Sequence, residues 1–157
     1  MAENKGKPIV VAVDGSPPSW DAMETAISLA RLMDRPIDVL HAVQLVKAGY
    51  FAFIDRHLKE EHEAQAQKVL AEAVERGQKA GVEVRPHLLQ SEKGPSEAII
   101  AYLTEAGPVK FLVLGSHGHG FMARHLLGSV TERVVREVTH LELPVPILIV
   151  PAGVMQE

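Results

Sequence analysis

The stretch Lys110–Val138, KFLVLGSHGHGFMARHLLGSVTERVVREV, decides how the rest of the chain is read. It opens on an apolar run, Phe111 to Leu114, and breaks into a loop containing Gly115, Gly118 and Gly120. Order resumes at Gly128 and Ser129 with helical spacing. The apolar run shows no polar alternation, as expected of a strand covered on both faces. Beyond the loop, Ser129 stands three residues before Glu132, a capping-box spacing, and Val130, Val134 and Val138 are spaced for one buried face. A buried strand feeding a helix through a glycine-rich loop is the unit from which open parallel α/β sheets are built.

Working outward, four more runs read as strands: IVVAVD from Ile9, IDVLHAV from Ile37, VEVRPHLL from Val82 and PILIV from Pro146. The first and last are nearly as continuous as the opening run, so both are expected to be covered on two faces. Helical segments lie between them. Ser16 is placed to cap a helix with Pro17 in its first turn, and Trp20, Met23, Ile27, Ala30 and Met33 fall on one side before Pro36 ends it. Leu58 to Ala80 reads as a second helix stopped by Gly81, and GPSEAIIAYLTEAG, from Gly94, as a third. Each crossover is long enough for a helix, which implies parallel pairing. The segment Gln44–Asp55, QLVKAGYFAFID, reads as a loop presenting Tyr50, Phe51 and Phe53, either as a cover for the core or as a lid or interface.

The 157 residues suit one domain, taken as 1–157. Sixteen Lys and Arg against 20 Asp and Glu leave a net charge of -4, which argues against a duplex-binding surface or a polybasic membrane patch. The chain has no cysteine, which removes disulfides, thiol catalysis and Cys-based zinc sites. The apolar run Ile9–Val13 is too short for a signal peptide, and no segment approaches the roughly 20 apolar residues of a membrane span. The expectation is a soluble, cytoplasmic protein with neither nucleic acid nor membrane as a partner.

Ligands of open parallel sheets bind beyond the carboxyl ends of the strands. Two loops of that kind stand out: VDGSPPS, with Asp14 at a strand end and Ser16 at a helix start, and the glycine loop from Gly115. Its glycines let a phosphate approach the main chain without a Cβ in the way, and Gly128 and Ser129 bring N–H groups and a hydroxyl to a helix N-terminus. The plainer alternative makes Gly115 a strand-ending turn and Ser129 only a cap. A connection of this length is unusual unless functional, which favours phosphate. His117 and His119, with His125 nearby, suggest a metal site, but the loop offers no acidic partner. Ser16, Ser116 and Ser129 lie in no nucleophile-elbow motif. Neither a P-loop signature nor a dinucleotide fingerprint occurs, and Arg124 is the one fixed cation of the loop. Binding is therefore better supported than turnover.

Three segments, IVVAVDGSPPSWDAMETAISLA, VLGSHGHGFMARHLLGSVTERVV and PVPILIVP, together resemble the universal stress protein family over nearly the whole chain. Gly115, Gly118, Gly128 and Ser129 reproduce its G-x2-G-x9-G-[ST] pattern, which marks the ATP-binding members. The resemblance implies a single five-stranded parallel sheet of order 3-2-1-4-5 with helices on both faces, and a homodimer through the last strand. It also implies an adenine nucleotide, ATP, as the bound cofactor. Asp14 and the backbone near Val43 would meet the adenine and ribose. Gly115, Ser116, His117, Gly118, His119 and Gly120 would wrap the phosphates with Gly128, Ser129 and Val130. One departure is the connection EVTHLELPVP, about five residues longer than is usual in the family and next to the expected dimer strand.

The leading expectation is an ATP-binding stress-response regulator whose nucleotide biases a dimer surface. Two alternatives stay open: a slow ATPase or phosphate-transferring enzyme using Mg2+ near Asp14 and Ser129, and a nucleotide-independent dimeric interaction module.

Overall fold

The computed structural model describes residues 6–45, 52–117 and 127–153. Strands and helices alternate along the chain: β1 (Ile9–Ala12), α1 (Pro17–Met33), β2 (Ile37–Gln44), α2 (Ala52–Lys79), β3 (Val84–Ser91), α3 (Pro95–Ala106), β4 (Phe111–Gly115), α4 (Ser129–His140) and β5 (Ile147–Val150). All strand pairs are parallel, in the order β3-β2-β1-β4-β5. The expected α/β class and strand order are observed.

Successive side chains of a strand point to opposite faces, and the core divides accordingly. Ile9, Val11, Ile37, Val39 and Val113 pack under α1 and α2 with Met23, Ile27, Val69 and Leu70. Val10, Leu40, Leu112 and Leu114 pack under α3 and α4 with Ile99, Leu103, Val134 and Val138. The uninterrupted apolar runs of β1 and β4 reflect this double burial. The outer strand β5 differs from the expectation: Val150 is buried, but Leu148 is exposed, because β5 has a neighbour on one side only among the described residues.

Helix ends follow their sequence signals. Asp34 takes a left-handed conformation (φ 54°) and closes α1 two residues before Pro36. Gly81 (φ 75°) closes α2, with Val82 N–H returning to Gly77 O at 2.9 Å. Two expectations are corrected. α2 begins at Ala52, so Phe53 lies in a helix and not in a loop; Tyr50 and Phe51 fall outside the described residues. In α4 the buried stripe is Thr131, Val134 and Val138, while Val130 is 36% exposed.

The long α4–β5 connection is ordered by hydrogen bonds. Glu142 is left-handed (φ 53°), Glu142 N–H bonds Thr139 O and Leu143 N–H bonds Val138 O, both at 3.1 Å, the two bonds of a Schellman end. Leu143 and Val145 then pack against the α3–α4 side of the core.

Charged clusters brace the rest. Arg76 of α2 stacks over Trp20 of α1, 4.4 Å from the ring centre, and pairs with Glu24 and Glu72. At the amino end of β2, buried Asp38 takes a two-bond grip from Arg85 at 2.7 and 2.9 Å and a third bond from His87. Burial and the nearby Asp38 carboxylate raise the Tyr102 hydroxyl above its ordinary range.

Candidate functional site

β1 lies at the switch point of the sheet, between β2 and β4, with α1 leaving toward one face and α4 packed on the other. Strands that diverge there open a crevice at their carboxyl ends. Here three side chains take backbone groups at or just beyond the ends of the two ladders.

On the β2 side, Val13 N–H makes the last ladder bond, to Leu40 O at 2.8 Å. The next acceptor in line, Val13 O, takes a bond from buried His41 Nδ1 at 2.8 Å. On the β4 side, Ser116 N–H bonds Val150 O at 2.9 Å and Leu112 N–H bonds Pro146 O at 2.8 Å, so even-numbered amides of β4 face β5 and odd-numbered ones face β1. The β1–β4 pairing ends at Val11 and Val113, and beyond that end the same alternation would bring Asp14 N–H to Gly115 O. Instead Asp14 N–H bonds Ser19 Oγ at 3.2 Å, and Gly115 O accepts from Thr131 Oγ1 at 2.8 Å. The backbone groups at the fork between the strands are thus engaged by His41, Ser19 and Thr131.

The β1–α1 loop is tightly built. Asp14 Oδ1 accepts from Ser16 N–H at 2.9 Å across Gly15, whose φ of +86° suits glycine. Ser16 is the N-cap, as expected: its hydroxyl accepts from Ser19 N–H at 3.4 Å, and Ser19 Oγ donates to Ser16 O at 2.9 Å. Gly115 answers a steric demand, since a Cβ there would lie 3.0 Å from Pro18 O. It therefore lets the first turn of α1 sit directly on the end of β4.

On the far side, Gly128 N–H bonds Ser116 O at 2.7 Å and pins the two ends of the long loop together. Gly128, in extended conformation, is the N-cap of α4, without a side-chain cap bond, and Ser129 is the first helical residue. The expected capping box is therefore not formed: the third helical position is Thr131, and its hydroxyl turns to Gly115 O. Glu132 N–H makes the first intrahelical bond, to Gly128 O, at 2.9 Å. The N–H groups of Ser129, Val130 and Thr131 have no carbonyl to meet within the helix, and their positive end of the dipole suits an anion. Gly128 N–H, in contrast, is engaged with Ser116.

Of the residues singled out in the sequence, the structure brings Asp14, Gly115, Ser116, His117, Gly128, Ser129 and Val130 to this one end of the sheet. Ser116 Oγ and His117 Nδ1 lie 2.9 Å apart. Gly118, His119 and Gly120, like Arg124 and His125, fall outside the described residues. Among the described residues no group of three His, Asp or Glu side chains could hold a metal ion, and no helix is long and apolar enough to cross a membrane.

Val43 stands one residue before the end of β2, paired with Gln90 of β3. Ile37 N–H bonds Glu83 O and Leu45 N–H bonds Ser91 O, so odd-numbered amides of β2, including Val43, face β3. Ala42, the even-numbered neighbour, directs its N–H and C=O toward the crevice. Four participants were missed in the sequence: Ser19, His41, Ala42 and Thr131. A faint signal existed for His41, a lone imidazole within an apolar strand run.

The Usp model, universal stress protein family, matches residues 6–151. Universal stress protein MJ0531 of Methanocaldococcus jannaschii is 34% identical over 140 residues, covering 85% of this chain and 78% of that protein. The solved structure of hypothetical protein MJ0577 superposes with a TM-score of 0.77 at 22% identity, covering 94% of this chain and 96% of that one, a likeness of fold. A universal stress protein from Archaeoglobus fulgidus, solved in complex with dAMP, has a TM-score of 0.64 at 25% identity, covering 93% of this chain and 98% of that one.

Proposed function

Because the chain belongs to the universal stress protein family, we propose that it is a stress-response regulator that binds an adenine nucleotide, ATP, in the crevice at the carboxyl end of β1. One observation carries this reading. Side chains engage the backbone groups at the carboxyl end of β1, and two further sets of backbone groups flank the same end: the Ala42 edge of β2 and the first-turn amides of α4. A flat base with a donor and an acceptor fits the first, and phosphate fits the second. The Archaeoglobus relative was solved in complex with dAMP, a ligand with both an adenine and a phosphate, which supports an adenine nucleotide here.

In this reading Asp14 meets the ribose, and Ala42, beside Val43, meets the adenine. Gly115, Ser116, His117, Gly118, His119 and Gly120 surround the phosphates with Gly128, Ser129 and Val130. Asp14 and the Ser129 hydroxyl would hold magnesium, which would offset the negative charge of the phosphates.

Regulation follows from how the crevice is tied to β5. Val150 O accepts from Ser116 N–H at 2.9 Å, and Gly153 N–H donates to Asp21 of α1 at 2.8 Å. Phosphate bound beside Ser116 thus bears directly on the strand through which a homodimer would form.

The protein purified without added nucleotide should release an adenine nucleotide on denaturation, or bind ATP in calorimetry. Gly118→Val should abolish that binding while leaving the circular dichroism and unfolding midpoint unchanged, because the new side chain fills the phosphate's space. Absence of both released nucleotide and ATP binding in the wild type overturns the proposal.

A further inference from the structure

β1 stops at Ala12 while β2 runs on to Gln44, so the way their ladder ends determines what β2 offers to the crevice. The last backbone bond is Val13 N–H to Leu40 O at 2.8 Å. In a parallel ladder the next would join Ala42 N–H to Val13 O. Among the described residues that bond is not made, and Val13 O accepts instead from the His41 ring at 2.8 Å. A carbonyl oxygen only accepts, so Nδ1 carries the proton and donates. His41 is 8% exposed and immediately precedes Ala42.

A peptide carbonyl without a partner at this depth takes the nearest donor available. Without the imidazole, that donor is Ala42 N–H, and the strands would zip one step further into the crevice. We infer that His41 is a positioning residue for nucleotide recognition: by occupying Val13 O, its ring halts the β1–β2 ladder and keeps the Ala42 N–H and C=O open as a donor–acceptor pair. The inference rests on reading the crevice as an adenine-nucleotide site. Adenine presents an acceptor at N1 and a donor at N6, complementary to that pair. Hypoxanthine presents the reverse, a donor at N1 and an acceptor at O6. The same bond holds the Val13–Asp14 peptide, so it also sets the direction in which Asp14 leaves the strand. His41 itself needs no contact with the ligand.

The experiment compares the wild type with His41→Phe, which keeps a ring and loses the donor, and His41→Asn, whose amide nitrogen can occupy the place of Nδ1. Calorimetry is run with AMP, IMP and ribose 5-phosphate. Wild type should prefer AMP to IMP by at least roughly tenfold, since a site built to hydrogen-bond one edge leaves its groups unpaired on the other. His41→Phe should weaken AMP by roughly tenfold, narrow the AMP-to-IMP ratio and leave ribose 5-phosphate unchanged; His41→Asn should retain AMP affinity within roughly threefold. Wild-type affinity and selectivity in His41→Phe would overturn the role of His41 and leave the nucleotide site standing. Failure of the wild type to bind any adenine nucleotide would remove the site itself, and with it this inference.

A measurement on the unaltered protein is independent of how the variants fold. Amide hydrogen exchange followed by NMR should find Leu40 protected throughout, and Ala42 exchanging fast without ligand and slowed by AMP. An Ala42 amide already protected in the ligand-free protein would overturn the inference.

Discussion

Thr131 sits at the third position of α4, where a serine or threonine is usually read as an ordinary helix residue. Its hydroxyl donates to Gly115 O at 2.8 Å in a buried setting, so it joins the start of α4 to the end of β4 across 16 residues of chain. Replacing it with valine keeps the shape and leaves that carbonyl without a partner, which should lower stability by about 1–3 kcal/mol. Thr131→Ser should recover most of the loss. Urea midpoints at unchanged slope provide the measurement, and a Thr131→Val variant as stable as the wild type would show that the bond contributes nothing. At this scale the places of Gly115, Gly128 and Asp14 at one end of the sheet were legible, since a glycine between a strand and a helix announces a backbone need by itself. Ser19, His41 and Thr131 were not, because a polar side chain carries no mark of a partner that only the fold supplies. Ser129 shows the same limit: its spacing from Glu132 fits a capping box, yet Gly128 is the cap.

Among the elements, α4 tests how well helical spacing identifies a buried face. Val130, Val134 and Val138 and the alternative set Thr131, Val134 and Val138 both follow the helical repeat. The structure selects the second: Val134 is fully buried and Val130 is 36% exposed. The hydroxyl of Thr131 hid its membership of the stripe. Val134→Ala should therefore cost about 2 kcal/mol through the cavity it leaves, while Val130→Ala should stay within about 0.5 kcal/mol of the wild type. Thermal unfolding of the two variants side by side distinguishes them, and equal losses would contradict the assigned face. The α1 and α3 boundaries followed caps, prolines and glycines, and α4 starts at the glycine–serine pair with the glycine as its cap. The start of α2 did not, because Ala52–Leu58 lacks such punctuation and the aromatic residues before it suggested a loop.

For the molecule as a whole, the open question is what lies against β5. Its outward side leaves Leu148 36% exposed, with Ile147 and Ile149 partly so, and the preceding turn exposes Leu141. An apolar outer strand of this kind invites pairing with a second chain, and the homodimer proposed above would use it. Sedimentation should give a dimer at micromolar concentration and a monomer for Leu148→Glu; a wild-type monomer over that range would exclude β5 as a dimer strand. What the sequence by itself determined was the alternation of buried strands and capped helices, the single parallel sheet, and the glycine spacing of the loop. These are local patterns, set by side-chain period, left-handed backbone positions and chain length between strands. Only the tertiary structure decided which backbone groups face the crevice. Whether Val43 or Ala42 turns its amide inward depends on the register between β1, β2 and β3, and whether Val13 O is free depends on where the His41 ring comes to rest. Both are relations between segments distant in sequence, fixed when strands pair and a neighbouring side chain reaches the last carbonyl first.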